Sequence, residues 1–188
     1  MRAVVIYESM YGNTHLVADA IASGLFDEAE LTGVHLTQLT VVPLAEATPD
    51  MLETADLVVV GGPTHVHGMS RASTRKAAVD AVHKTPAPDY GLDRDAPGTG
   101  IREWFAALPQ FTGRAAAFDT RMQGVPMFTG RASKGIAHQL RKHGFTLVEP
   151  PESFLVTNHN VLVDGEEARA HTWGGQLTSQ LAVTRATT

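Results

Sequence analysis

A short segment near the N-terminus carries hydrogen-bond donors at a spacing that suits an anion. Residues 9–14 read Ser-Met-Tyr-Gly-Asn-Thr, and they separate an apolar run from an amphipathic one. That order predicts a buried strand, a tight turn and the start of a helix. The first N–H groups of a helix have no internal partner, and the helix dipole gives them partial positive charge. Ser9, Asn13 and Thr14 add side-chain donors, and the glycine between them lets the backbone approach a ligand closely.

Two interpretations of this segment follow from its local sequence. In the first, residues 9–14 hold a phosphate group of a nucleotide-type cofactor. In the second, Asn13 or Thr14 only caps the helix that follows. The segment by itself leaves both interpretations open.

The composition limits the classes of protein to which the chain can belong. Its 188 residues suit one domain with a sizeable core, and 43% apolar with 19% charged residues indicates a globular protein. The net charge of −5 and the lack of a long basic run argue against nucleic acid as the main partner. Because the chain has no cysteine, disulfides, thiolate nucleophiles and cysteine-ligated metals are excluded.

The first residues predict neither a signal peptide nor membrane insertion. Met1 and Arg2 precede only a short apolar stretch, and Glu8 interrupts it. The expected location is therefore cytoplasmic.

The hydrophobic pattern predicts five strands that alternate with helices. The predicted strands span 3–7, 34–42, 56–62, 114–118 and 145–156. The first, third and fourth are apolar on both faces, as central strands of a parallel sheet are, whereas the other two have the character of edges. Short right-handed connections favour a three-layer α/β domain, doubly wound around a five-stranded parallel sheet of order 2-1-3-4-5. This single domain would span 1–188, with an excursion at about 70–100.

Three predicted loops converge on one edge of this sheet. Ligands of doubly wound sheets bind beyond the carboxyl ends of the strands, where the loops 9–14, 63–70 and 119–130 would meet. The first loop lacks the lysine of a nucleoside triphosphatase, and the chain has no G-x-G-x-x-G run for a dinucleotide. Glu8 alone does not make the acid cluster of a response regulator. Neutral donors remain, and they suit a phosphate monoester bound without a metal.

A longer N-terminal signature surrounds the anion-binding segment. Aliphatic, aliphatic, aromatic, hydroxyl, small, threonine, alanine and aliphatic residues stand in that order at Val5, Ile6, Tyr7, Ser9, Gly12, Thr14, Ala18 and Ile21. On these residues the chain resembles the flavodoxin family. The resemblance continues more weakly through the Gly61-Gly62-Pro63-Thr64 loop, the strand before Asp119 and the helix around Trp173-Gly174.

The resemblance implies a bound flavin mononucleotide (FMN) and a set of residues around it. For the phosphate it implies Ser9, Met10, Tyr11, Gly12, Asn13 and Thr14. For one side of the isoalloxazine ring it implies Pro63, Thr64, His65, Val66, His67 and Gly68. For the other side it implies Asp119, Thr120 and Arg121.

The ring-binding loops differ from those of electron-shuttle flavodoxins, which usually stack the ring between aromatic side chains. The second loop offers His65, His67 and Met69 without Trp or Tyr, and the third offers methionines and Phe128 without Tyr. Imidazoles and the nearby Arg121 would stabilise an anionic reduced ring. These loops therefore predict a higher potential than that of a low-potential shuttle.

His65 and His67 form an H-x-H pair with several open interpretations. They could ligate a metal, but no cysteine or second acid cluster completes a site, and no metal is predicted. They could give a proton to reduced flavin or to a quinone, since imidazole titrates near neutral pH. They could also only contact flavin or solvent. Arg121 could likewise pair with the N1/C2=O edge of the ring, or form a salt bridge with Asp119 or Glu103.

Three functions are compatible with the resemblance. The first is an electron carrier that docks to a redox partner protein. The second is a flavoenzyme that oxidises NAD(P)H and reduces a quinone itself, because the second loop, residues 63–70, is similar to that of flavodoxin-like NAD(P)H:quinone reductases. Those reductases are usually oligomeric, so the second function comes with the expectation of a homo-oligomer. The third is a flavodoxin-fold binding module without a cofactor.

Overall fold

The computed structural model describes residues 1–84, 91–94, 96 and 98–186. Its strands are β1 (Arg2–Tyr7), β2 (Gln38–Pro43), β3 (Leu57–His65), β4 (Gly68–Met69), β5 (Gly113–Met122), β6 (Phe145–Leu147) and β7 (Glu152–Val156). Its α-helices are α1 (Asn13–Thr32), α2 (Pro49–Thr54), α3 (Ala72–Lys84), α4 (Ile101–Ala107), α5 (Pro126–Thr129), α6 (Ala132–Lys142) and α7 (Glu166–Ala186), and a 3₁₀ turn spans Leu44–Glu46. Of the predicted excursion at about 70–100, residues 85–90, 95 and 97 lie outside the described residues.

The strands form a sheet with the central order β2-β1-β3-β5, and these neighbours pair in parallel. The outer edge of β5 pairs in parallel with β6 near its start and with β7 near its end. The predicted order 2-1-3-4-5 is therefore confirmed, with the fifth strand divided in two. The division contains Pro150 and Pro151, which have no N–H group to donate to a strand ladder.

Two hydrophobic cores lie on opposite faces of the sheet, because successive strand side chains alternate between its faces. In β1, Val5 and Tyr7 pack in the core that contains α1 and α7. Val4 and Ile6 pack in the core that contains α4 and α6. Helices, sheet and helices thus make three layers, and the doubly apolar strands lie at the centre as predicted. Among the described residues, no helix is both long enough and apolar enough to cross a membrane.

Two central strands run farther than their apolar residues predict. β3 continues to His65, and β5 continues to Met122. Most of the extra residues are polar, and ladders hold them: Pro63 pairs with the distant Thr120 and Met122 with the distant Val156, whereas residues 64 and 65 pair with the nearby residues 69 and 68. Pairing partners of this kind do not show in the hydrophobic period, so the predicted loops begin too early. The extension carries Thr120 and its neighbours to the edge where ligands bind.

Candidate functional site

A cleft of about 270 Å³ opens at the carboxyl ends of β1, β3 and β5. It is lined by Met10, Tyr11, Asn13, Thr14, Pro63, Thr64, His65, Val66, Ala78, Thr120, Arg121, Met122, Val156 and Asn160. The three predicted loops therefore meet at one site, as expected for this topology. The predicted binding residues that do not line it are Ser9, Gly12, His67, Gly68 and Asp119.

The turn before α1 leaves the N-terminus of that helix without a side-chain cap. Gly12 is the N-cap residue, and its φ of 87° lies in the left-handed region that favours glycine. The Gly12 N–H donates to the Ser9 hydroxyl oxygen at 3.1 Å. The first turn of α1 contains no acidic residue. Its N–H groups and the positive end of its dipole are therefore available to an anion.

The side chains of Asn13 and Thr14 bind other segments instead of capping α1, so the capping interpretation is wrong. Asn13 Nδ2 donates to the carbonyl oxygen of Asn160 at 2.7 Å. The hydroxyl oxygens of Thr14 and Thr120 are 2.7 Å apart in a buried hydrogen bond. Both contacts fix the position of the turn relative to the far walls of the cleft.

The N-terminus of α6, the long helix that follows β5, is closed by the protein itself. The Ser133 N–H donates to Asp119 Oδ2 at 2.6 Å, and the Ala132 N–H donates to Thr64 Oγ1 at 2.9 Å. The Asp119 carboxylate thus lies where the α6 dipole favours negative charge. Among the described residues, no carboxylate accepts from an N–H of the first turn of α1, and the nearby Asp93 carboxylate lies 3.6 Å from the imidazole of His15 in that turn.

Asp119 is fully buried and faces α6, whereas its neighbour Thr120 faces Thr14 across the cleft. The alternation of side chains along β5 explains the difference. Burial raises the pKa of the Asp119 carboxyl group, and the Ser133 N–H opposes that shift less strongly. Asp119 therefore supports the cleft from behind, through α6.

Arg121 lines the cleft and fastens the segment that follows β5. Its Nη1 donates to the carbonyl oxygens of Met122 and Gly124 and to Thr129 Oγ1, at 3.2, 3.0 and 2.9 Å. The predicted salt bridge with Asp119 or Glu103 is wrong among the described contacts, since these acids bind Ser133 and Arg75 instead. Arg121 Nε is buried and has no hydrogen-bond partner among the described residues.

The second predicted loop is a β-hairpin, because β4 pairs antiparallel with the end of β3. Its two-residue turn consists of Val66 and His67, with φ of 44° and 72°. Positive φ at both positions is the pattern of a type I′ turn, and it is strained for a β-branched valine. His67 also forms a bridge with Gly130, which joins the hairpin to the segment after α5. Such strain persists where surrounding contacts hold it, and it is frequent at functional sites.

The two histidines of the H-x-H pair lie in different environments. His65 is partly buried and lines the cleft, whereas His67 is exposed at the turn. Burial lowers the pKa of His65, and the positive charge of Arg75 lowers it further. His65 is therefore neutral at pH 7. Among the described residues, no group of three or more histidines and acids is placed to hold a metal ion.

A buried polar network behind the cleft was missed from the sequence. Glu8 Oε2 accepts hydrogen bonds from Ser70 Oγ at 2.8 Å and from the Ile101 N–H at 2.9 Å. Arg75 donates to the same Ser70 hydroxyl and pairs with Glu103 at 3.2 Å. Glu8 thus holds together both ends of the 70–101 segment. A carboxylate directly after a buried strand was the available signal, but its partners are distant in the sequence.

Large apolar side chains are exposed on the segments that border the cleft. This apolar rim consists of Val66, Val125, Met127 and Phe128, each more than half exposed. The aromatic side chains in the cleft lining itself are Tyr11 and His65. Both tryptophans of the chain lie outside this lining.

The sheet order, the helices on both faces and the cleft at the switch point define a flavodoxin-like fold. Structural comparison agrees over nearly the whole chain. A flavodoxin from the domain Archaea superposes with a TM-score of 0.62 at 20% identity, covering 97% of this chain and 99% of its own. Flavodoxin 1 from Bacillus cereus superposes with a TM-score of 0.63 at 18% identity, covering 95% of this chain and 98% of its own. A flavodoxin, WrbA-like protein from Agrobacterium tumefaciens superposes with a TM-score of 0.57 at 18% identity, covering 97% of this chain and 98% of its own.

Sequence comparison adds nothing to this likeness. No family model and no curated protein sequence matches the chain. At 18–20% identity the structural likeness establishes the fold. The chemistry of the cleft must therefore be argued from its own residues.

Proposed function

We propose that the protein binds FMN in this cleft and transfers electrons through it. The observation that carries the proposal is the difference between the two helix N-termini. The α6 N-terminus is closed by Asp119, whereas that of α1 has no acidic residue and no side-chain cap. An uncapped helix start of this kind suits a phosphate monoester without a metal. The names of the structural neighbours, flavodoxins and a WrbA-like protein, support the same class.

The residues of the cleft divide naturally between the two ends of FMN. The segment 9–14 would hold the phosphate through backbone N–H groups and the Thr14 hydroxyl. The ends of β3 and β5 would border the isoalloxazine ring, with the positive charge of Arg121 beside it. A bound FMN would supply electron-transfer chemistry that no side chain of this cysteine-free chain provides.

A visible absorption spectrum of the purified protein tests the proposal directly. We expect a yellow protein, or a colourless one that takes up one FMN per chain on titration. A protein that takes up no FMN would overturn the proposal and favour the cofactor-free binding module.

The variant Thr14→Val tests the phosphate end of the site. We expect FMN affinity to fall by about 1–3 kcal/mol, because a buried phosphate oxygen loses a hydroxyl donor. Fluorescence titration of FMN measures it. The matched control is Thr178→Val, which removes a fully buried hydroxyl that donates to Leu25 O on the other side of the molecule. Equal affinities of the two variants would contradict a phosphate contact of Thr14.

A second candidate function, a flavoenzyme that reduces a quinone-type substrate with NAD(P)H, is favoured by the apolar rim. A charged protein partner gains little from Val66, Met127 and Phe128, whereas a flat apolar acceptor is desolvated by them. Consumption of NAD(P)H by the purified protein with a quinone, and without an added reductase, distinguishes the enzyme from the carrier. A homo-oligomer that covers the rim stays part of this second candidate.

The direction of the His65 pKa shift predicts the pH range in which the charge of this imidazole can affect the flavin. Because burial lowers that pKa, His65 is neutral at pH 7 and gains its proton only in more acidic solution. We therefore expect His65→Gln to leave the FMN midpoint potential unchanged at pH 7–8 and to lower it relative to the parent protein only as the pH falls well below the ordinary histidine pKa of about 6.5. The control is His138→Gln on the exposed face of α6. A large shift at pH 8 would show that His65 carries its charge there.

A further inference from the structure

A second cavity, of about 290 Å³, lies between α4 and α6 and shares no lining residue with the cleft. We name it the basic cavity. Arg102 from α4 and Lys142 from α6 contribute its charged groups, and Gln139 contributes an amide. Its apolar walls come from Phe105, Ala106 and Met69. The lining contains no carboxylate.

Among the described residues, no ion pair joins the cations of the basic cavity to an acid, and Glu103 beside Arg102 interacts with it only at longer range. Arg102 Nε donates to the carbonyl oxygen of Met69 at 3.1 Å, and this hydrogen bond leaves both Nη groups as donors for a ligand. Neither Arg102 nor Lys142 forms an ion pair with an acid in the part of the chain that the structure describes. The neighbouring acid on α4, Glu103, pairs with Arg75. Two positive charges therefore share one concave site on a protein with a net charge of −5.

The buried ring of His143 forms one wall of this site. Its Nδ1 lies 3.0 Å from the carbonyl oxygen of Pro109, so Nδ1 must carry hydrogen to make that bond. The ring is stacked on Phe105 with centroids 5.8 Å apart, which holds it in place.

Helix electrostatics account for only part of this arrangement. Lys142 lies in the last turn of α6, where the helix dipole favours cations. Arg102 lies in the first turn of the seven-residue α4, where the dipole disfavours a cation, and its hydrogen bond to the Met69 carbonyl oxygen holds it there. A bound anion between the two helices would stabilise both cations.

We infer that the basic cavity binds an organic anion, with a phosphate or carboxylate group attached to a flat apolar body. The charged head would meet Arg102, Lys142 and the Gln139 amide, all of which can donate. The body would cover the ring of Phe105 and the side chain of Met69. A hydrated inorganic ion would make no contact with those apolar walls. The inference is independent of FMN, because the cavity and the cleft are separate.

Phenyl phosphate is the probe that tests the inference, with methyl-¹³C methionine spectra as the readout. The chain has six methionines, of which Met69 lines the basic cavity, while Met10 and Met122 line the cleft. We expect a saturable shift of the Met69 methyl signal with a dissociation constant of about 1 mM or lower. Shifts of Met10 or Met122 alone would report binding in the cleft and would overturn the inference without touching the FMN proposal.

Two variants with the same change of charge locate the head group. Lys142→Gln removes a cation from the lining, whereas Arg141→Gln removes one from the same turn outside it. We expect the first to weaken phenyl phosphate binding about fivefold to tenfold and the second less than twofold. Equal losses of phenyl phosphate affinity in the two variants would mean that the probe responds to the general positive potential of this surface and that no specific site exists. Inorganic phosphate that binds as tightly as phenyl phosphate would overturn the apolar part of the assignment, and the absence of a saturable Met69 shift would overturn all of it.

Discussion

Replacing Asn13 with aspartate is expected to weaken FMN binding by about 100-fold or more. The variant places a carboxylate in the first turn of α1, where the cofactor phosphate is proposed to lie. Unit charges 4 Å apart interact by about 4 kcal/mol at an effective dielectric constant near 20, and a phosphate monoester carries nearly two charges at pH 7. Even a fraction of this repulsion exceeds the loss of a single hydrogen bond. Fluorescence or calorimetric titration of FMN measures the change.

The variant Asn13→Ala separates charge from contact. Both substitutions remove the hydrogen bond from Asn13 Nδ2 to Asn160 O, but only aspartate adds a charge. Aspartate in a first helical turn stabilises the helix by about 0.3–1 kcal/mol, so the protein keeps its fold. We expect alanine to weaken FMN binding less than tenfold, and the melting temperature of Asn13→Asp to equal or exceed that of Asn13→Ala. Equal FMN affinities of the two variants would falsify the phosphate assignment.

Replacing Glu8 with alanine is expected to lower the free energy of unfolding by about 3 kcal/mol. The substitution leaves two buried donors, the Ser70 hydroxyl and the Ile101 N–H, without their acceptor. Each unpaired buried donor costs about 1–3 kcal/mol, and relief from burying the carboxylate offsets part of that sum. Because both donors lie at the ends of the 70–101 segment, Glu8→Ala loosens the wall behind the cleft. Urea denaturation at pH 7 measures the loss.

The variant Glu8→Gln is the matched control, because its single oxygen can accept from both donors. The amide nitrogen then takes the place of Glu8 Oε1, which has no hydrogen-bond partner among the described residues. The buried amide N–H groups have no acceptor and cost stability, but removal of the buried charge offsets that cost, so we expect this variant to remain within about 1 kcal/mol of the parent protein at pH 7. A loss as large as that of alanine would show that the negative charge itself is required.

The pH dependence of stability distinguishes the same two variants. Burial raises the pKa of the Glu8 carboxyl group, against the opposing hydrogen bonds from Ser70 and Ile101. The folded state then holds the proton more tightly than the unfolded chain does. Stability from this group is therefore present below the ordinary glutamate pKa of about 4.3 and falls as the pH rises through the raised value. We expect Glu8→Gln to remove the loss of stability that comes from Glu8. The pKa of Asp119 is also raised, so its contribution to the loss of stability with rising pH remains in this variant.

The order of the sheet could be predicted from the chain because hydrophobic period is a local property. Runs such as Val58-Val59-Val60 are apolar on both faces, and such strands have to be covered by helices on both sides. The ends of the strands could not be predicted in the same way. Residues 63 and 119–122 are strand because distant segments supply their ladder partners, and residues 64 and 65 are strand because they form a tight hairpin with residues 68 and 69.

The roles of the predicted binding residues were accessible only in part. The segment 9–14 was found because a strand, a turn with glycine and a helix start are neighbours in sequence. The direction of Asp119 and the partners of Arg121 depend on which residues of other elements lie opposite them. Binding of FMN by these residues stays a prediction for the titrations above.

By itself, the sequence determined a three-layer α/β fold and the position of a helix N-terminus after the first strand, where both capping and anion binding stayed open. Both follow from residue type and spacing over a few turns of chain. The tertiary structure decided which helix N-terminus is open. Asp119 at the end of β5 accepts from the Ser133 N–H and so occupies the N-terminus of α6. The side chains of Asn13 and Thr14 bind Asn160 and Thr120 instead and leave the N-terminus of α1 without a cap. The reason is physical: an electrostatic site is defined by every charge and dipole near it, and most of these come from distant parts of the chain.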